Sequence, residues 1–119
     1  MVRGIYVRAR PEDQPKGSPI IDTLTTRQRA YLKSLAHPLK PVHQIGKDGV
    51  TDRTVTSVRE AFNTREVLKV KVLDSAPAGV HGTAEELAAR LEDARLVQVI
   101  GRTLVLYRPD PDNPEIELP

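Results

Sequence analysis

PVHQIGKDGVTDRTVTSVREAF, residues 41–62, carries three structural signals in a row. Pro41 to Ile45 is short and bounded by Pro38 and Gly46, which suits a strand better than a helix. Gly46-Lys47-Asp48-Gly49 is a tight turn, and Thr51 then supplies a helix start signal. In the helix that follows, Val55, Val58 and Phe62 recur at i, i+3 and i+7 as one apolar stripe, while Arg53, Arg59 and Glu60 lie elsewhere on its surface. Strand, glycine turn and amphipathic helix together predict an α/β architecture.

Working toward the amino end, Thr25 and Gln28 have the spacing of a capping box. They open a helix over about 26–36 that places Tyr31, Leu32, Leu35 and Ala36 on one side and ends at His37-Pro38. Toward the carboxyl end, Glu66 to Asp74 alternates Leu68, Val70 and Val72 with Lys69 and Lys71, a strand with one apolar and one basic face. Gly79 to Gly82 reads as a loop. Thr83 and Glu86 read as a second capping box for a helix through about Ala94, with Leu87 and Leu91 as its buried row and Glu85, Glu86, Glu92 and Asp93 on the wet side. Leu96 to Ile100 and Thr103 to Tyr107 are apolar, β-branched runs separated by Gly101-Arg102, a hairpin signal. The expected fold is a small two-layer α/β domain, ordered α-β-α-β-α-β-β, with a mixed four-stranded sheet.

The 119 residues are enough for one domain, expected over 23–109. Residues 1–22, with Pro11, Pro15, Gly17 and Pro19 among charges, read as a flexible leader, and 110–119 as a Pro-rich acidic tail. The chain has no cysteine, so a disulfide framework, a thiol nucleophile and a thiolate metal site are excluded. No run of 18 apolar residues exists, and no export signal is visible, so a cytoplasmic protein without membrane contact is expected.

The net charge of +2 conceals a strong polarity. Residues 23–70 carry nine Lys or Arg against four Asp or Glu, whereas residues 71–119 carry five against nine. A basic middle beside an acidic end bears on partners, and polyanions are the natural candidates. The glycine turn lies within this basic segment, among Arg27, Arg29, Lys33, Lys40, Lys47 and Arg53. It also joins a strand to the amino end of a helix, where unpaired N–H groups and the positive end of the macrodipole favour an anion. If the first helix packs beside the turn, these cations form one surface, which Lys69 and Lys71 could widen unless a helix covers them.

Catalytic machinery is not visible. His37, His43 and His81 stand in unrelated contexts, with no metal-spaced pair and no nucleophile elbow. His37 reads as a helix-end residue bonding terminal carbonyls, and Tyr31 and Tyr107 as semi-buried packing residues. Gly49 is followed by Val50 and Thr51, so the turn is not a Walker loop. No cofactor and no metal is expected. With so few aromatic residues, a platform that stacks several bases is not expected, and Tyr31 is at most a single stacking group.

LTTRQRAYLKSLAHPLKPVHQIGKDGVT, EVLKVKV and VQVIGRTLVLYRP together resemble the CRM domain (chloroplast RNA splicing and ribosome maturation) in its stand-alone bacterial YhbY form, over about Leu24 to Pro109. The resemblance implies a fold similar to a translation initiation factor's carboxyl-terminal domain and no catalysis. It implies association with precursors of the large ribosomal subunit, so the expected partners are precursor large-subunit ribosomal RNA and ribosomal proteins; a monomer is expected. Carried over by position, the RNA-binding loop is Gly46, Lys47, Asp48 and Gly49, supported by Lys40, Lys33 and Arg29, with Arg53 at the start of the next helix. Asp48 departs from this pattern by placing an anion in the loop, and should weaken phosphate binding unless it caps the helix. A protein-interaction module docking on a ribosomal protein is the alternative reading.

Overall fold

A computed structural model of the chain describes residues 24–119. The leader expected over 1–22 lies outside the described residues. The elements follow in the order α1 (Thr26–Ala36), β1 (His43–Ile45), α2 (Asp52–Phe62), β2 (Val67–Val72), α3 (Gly79–Arg90), β3 (Arg95–Ile100) and β4 (Thr103–Tyr107). The four strands form one mixed sheet in the order β1-β2-β4-β3, with β1 parallel to β2 and the other pairs antiparallel.

Local chemistry accounts for most of the boundaries. Thr25 and Gln28 form the expected box: the Gln28 N–H donates to Thr25 Oγ1 at 3.0 Å and the Thr25 N–H to Gln28 Oε1 at 3.0 Å. The β3–β4 hairpin turns on Gly101, whose φ of +59° is open to glycine and costly for other residues. Helix α3 corrects the sequence reading. It starts at Gly79, a turn earlier than expected, so Thr83 is no cap but a buried residue inside the helix. The glycine at φ +71° turns the chain directly into the helix, and burial of Thr83 and Ala84 on the sheet outweighs the local capping pattern.

Helices cover both faces, so the sheet is the middle of three layers rather than one of two. Against one face α2 and α3 bury Val55, Val58, Phe62, Ala84, Leu87 and Leu91 on Ile45, Leu68, Val70, Val72, Leu104 and Leu106. Against the other, α1 buries Leu32 and Ala36 on Val67, Val97, Val105 and Tyr107. Fully burying one such aliphatic side chain contributes about 1.5–3 kcal/mol. A bulge lies between Leu96 and Gln98, where Val97 is the extra residue. It turns Val97 inward beneath α1.

The last ten residues are irregular but attached. The Glu66 carboxylate, 7% exposed, accepts the backbone N–H groups of Asp110 at 2.6 Å, Glu115 at 3.1 Å and Ile116 at 2.8 Å. Ile116 and Leu118 pack against the α1 cluster, and Gln28 Nε2 donates to the Pro119 carbonyl at 3.1 Å.

Candidate functional site

The turn between β1 and α2 is built from its hydrogen bonds outward. The Gly49 N–H donates to the Gly46 carbonyl at 2.9 Å, and Gly49 takes a φ of +66°. At Gly46 φ is unremarkable and space is the constraint: a Cβ there would lie 3.3 Å from Ser75 Oγ and 3.5 Å from Leu73 Cδ1. The neighbouring 73–76 segment is held to β1 by the Leu73 N–H, which donates to the Ile45 carbonyl at 2.8 Å. Val50 is buried beneath the turn. Thr51 caps α2 through a reciprocal pair with Thr54, both bonds at 3.2 Å. Asp48 therefore does not cap the helix and stands exposed.

An open cleft of about 180 Å³ lies over this corner. His43, Gln44, Lys47, Asp48, Thr51 and Arg53 line it together with the backbone of Gly46 and Gly49. Lys47 and Arg53 are exposed. Arg90, from the last turn of α3, buttresses the far side: its Nη1 donates to the Val50 carbonyl at 3.4 Å and its Nη2 pairs with Asp52. The cleft thus offers two exposed cations, the backbone of two glycines and a helix amino terminus, set against the single carboxylate of Asp48.

Gly46, Lys47, Asp48, Gly49 and Arg53 meet at this cleft. The other predicted residues do not join them. Because α1 packs on the sheet face opposite α2, the condition for one continuous cationic surface around the turn is not met. Lys33 sits with His37 and Lys69 beside the carboxyl end of α1. Lys40 is exposed on the segment between α1 and β1. Arg29 turns to the sheet edge, where Nη1 donates to the carbonyls of Val97 at 2.7 Å and Leu96 at 3.3 Å. His37 does end α1, but through its main-chain N–H, which donates to the Lys33 carbonyl at 3.0 Å. Its own carbonyl accepts from Lys69 Nζ at 3.1 Å. Tyr31 is 38% exposed, while Tyr107 is fully buried.

His43, which lines the cleft, and Arg90, which buttresses it from α3, were both missed from the sequence. His43 pairs with Val70 and so shares a sheet face with Ile45, a placement that strand alternation two residues before Ile45 could have indicated. Arg90 lies 40 residues from the carbonyl it supports, and no local pattern announces that contact. Among the described residues no group of three or more His, Asp or Glu could hold a metal, and no helix is long and apolar enough to cross a membrane.

Among the described residues, three helices around a mixed four-stranded sheet, with a Gly-x-x-Gly turn leading into the second helix, define a small α/β domain. Residues 24–108 match the CRS1 / YhbY (CRM) domain, and the chain belongs to that family. It is 42% identical over 96 residues to a protein of Bacillus subtilis named Probable RNA-binding protein YqeI, covering 81% of this chain and 99% of the relative. It is 40% identical over 101 residues to a Haemophilus influenzae protein named RNA-binding protein, covering 82% and 96%. The solution structure of SAV1595 from Staphylococcus aureus superposes with a TM-score of 0.63 at 40% identity, covering 81% of this chain and 99% of that one. Both relatives carry the names of RNA-binding proteins and not of enzymes.

Proposed function

We propose that the chain is a non-enzymatic RNA-binding factor that engages precursor large-subunit ribosomal RNA through the Gly46–Gly49 turn. One observation carries the reading: the cleft over the turn is open, and its exposed cations Lys47 and Arg53 flank two glycines at the amino end of α2. Phosphate oxygens are the ligand atoms this arrangement fits. Family membership and the relatives' names support RNA as the polymer that carries them. Lys40 and Lys33 stand apart from the cleft and Arg29 is bonded to β3, so these three contribute charge only at longer range.

Equilibrium binding to large-subunit ribosomal RNA fragments over a range of salt tests this. Engagement of about four phosphates gives a log–log slope near −3, and the K47Q/R53Q pair lowers its magnitude by about 1.4. An affinity that stays flat with salt overturns the reading. So does a protein complex that survives nuclease and is indifferent to K47Q/R53Q, which would instead favour docking on a ribosomal protein. Crosslinking in cells with sequencing of the attached RNA tests the ribosomal assignment, and recovery of unrelated RNAs at equal yield sinks it.

A further inference from the structure

Helix α1 covers only half of its sheet face. Strand pairing identifies the residues that share it: Gln44 lies beside Lys71, Lys71 opposite Thr103, Thr103 opposite Ile100, and Lys69 opposite Val105, which faces Gln98. Val67, Val97, Val105 and Tyr107 are buried under the helix. On the other half Gln44, Lys71, Gln98 and Ile100 are exposed, and Lys69 and Thr103 are half-buried. At the boundary lies a depression of about 180 Å³, lined by Lys33, His37, Lys69, Ile100 and Thr103 among others. No strand of the sheet contains an Asp or Glu.

We propose that this bare half-sheet is a second contact for RNA, taking a single-stranded segment that runs on from the turn. Phosphates would meet Lys71, Lys69 and Lys33, and one unpaired base would rest on Ile100. The inference rests on the RNA reading above. Continuity with the turn comes from Gln44, which lines the turn cleft and neighbours Lys71. Lys71 is therefore about 7 Å along the strands and about 5 Å across from Gly46, and Lys69 follows about 7 Å further on.

The charge is of one sign, so a polyanion is the complementary occupant. Ile100 narrows the choice further. At 42% exposure it is one of two large hydrophobic side chains left exposed among the described residues, and it stands in a field of lysines. A duplex hides the faces of its bases, whereas an unpaired nucleotide can lay one on an apolar side chain while its phosphates reach the surrounding cations. Gln44, Gln98 and Thr103 supply neutral donors and acceptors alongside. Lys69 keeps its bond to the His37 carbonyl, which fixes that ammonium at the mouth of the depression.

The test compares four-nucleotide and twelve-nucleotide uridine oligomers by fluorescence anisotropy on the full chain. K69Q/K71Q is expected to weaken the longer oligomer roughly tenfold at low salt and to lower its salt slope by about 1.4, leaving the shorter one unchanged. I100S should weaken the longer oligomer without altering the slope, and K69R/K71R should restore binding. If K47Q/R53Q weakens both oligomers while K69Q/K71Q and I100S change neither, RNA is held at the turn alone and this inference falls while the proposed function stands. If no variant changes either oligomer, the RNA reading itself falls. A twelve-base-pair duplex that loses as much as the single strand in K69Q/K71Q overturns the single-strand assignment. A protein whose nuclease-resistant binding needs Lys71 and Ile100, with no oligomer effect, gives the face to a protein instead.

Discussion

Arg29 and Val97 meet at the point where β3 leaves regular pairing: the Arg29 Nη1 donates to the Val97 carbonyl at 2.7 Å, and Val97 is the residue the bulge inserts. A bulge exposes main-chain oxygens that the sheet no longer satisfies, and a guanidinium is well suited to bind two at once. Arg29→Met keeps the apolar stem and removes the donor, and should cost about 1.5–3 kcal/mol in urea unfolding. If Arg29 instead served chiefly as a phosphate contact, stability would hold and the RNA salt slope would drop by about 0.7. The expected result is the reverse: lost stability with a slope within error of the parent's.

Glu66 ties the tail to the domain by accepting three backbone N–H groups from residues 110–116. Glu66→Ala leaves those donors without their acceptor and frees Ile116 and Leu118 from the α1 cluster. We expect a loss of about 2–4 kcal/mol and rapid protease cleavage after residue 109. Glu66→Gln, which keeps one carbonyl acceptor, should lose less. A tail that stays protected in Glu66→Ala would show that the apolar contacts of Ile116 and Leu118 suffice.

Elements with a strong local signal were legible in the sequence. The stripe Val55, Val58 and Phe62, the Thr25–Gln28 box and the Gly101 turn are each decided by neighbours within a few residues, and each appears in the structure. The start of α3 was not legible, because the Thr83 pattern competes with tertiary burial of the same residue. For the candidate site, the turn and its helix could be read, since Gly46 to Thr51 is contiguous. How the lysines divide was not legible: it depends on which sheet face α1 takes, and alternation in β2 gives both faces apolar anchors, Val67 on one and Leu68 on the other. Glu66 gave no signal at all, since its partners lie 44 to 50 residues away.

Gly46 and Gly49 are glycine for different reasons, and substitution separates them. At Gly49 the φ of +66° penalises any Cβ although the nearest atom, Pro77 Cδ, is 3.9 Å away, so Gly49→Ala should cost about 1–2 kcal/mol. Gly49→Asn tolerates the same φ better and should recover much of that stability. In Gly46→Ala the added methyl meets the Ser75 hydroxyl at 3.3 Å, which a small rotation relieves, so the cost should stay below about 1 kcal/mol. Where the turn backbone is the phosphate contact, Gly49→Asn should still bind RNA less tightly despite its recovered stability, because its side chain stands between the main chain and the ligand. Unchanged affinity in a folded Gly49→Asn would show that the lysine and arginine side chains alone make the contact.

Tyr107 gives the domain one source of alkaline sensitivity. Its phenol is fully buried, and its hydroxyl has no hydrogen-bond partner among the described residues. Burial pushes its pKa up to about 12, the charge of Glu66 adds to the rise, and Arg95 opposes it. The folded chain therefore holds this proton more tightly than the unfolded chain, whose phenol titrates near 10. Below about pH 10 both states are protonated and the group adds no pH dependence. Between about pH 10 and 12 the unfolded state releases the proton first, so stability falls as pH rises, by about 2–3 kcal/mol in all. In a Tyr6→Phe/Tyr31→Phe background the tyrosinate absorbance should report a single midpoint near 12 while the protein remains folded. Tyr107→Phe removes a buried hydroxyl that makes no bond, so it should leave stability at pH 7 equal or slightly higher and abolish this part of the alkaline loss. A midpoint near 10 in the folded state, or an unchanged alkaline profile in Tyr107→Phe, would place the sensitivity elsewhere in the molecule.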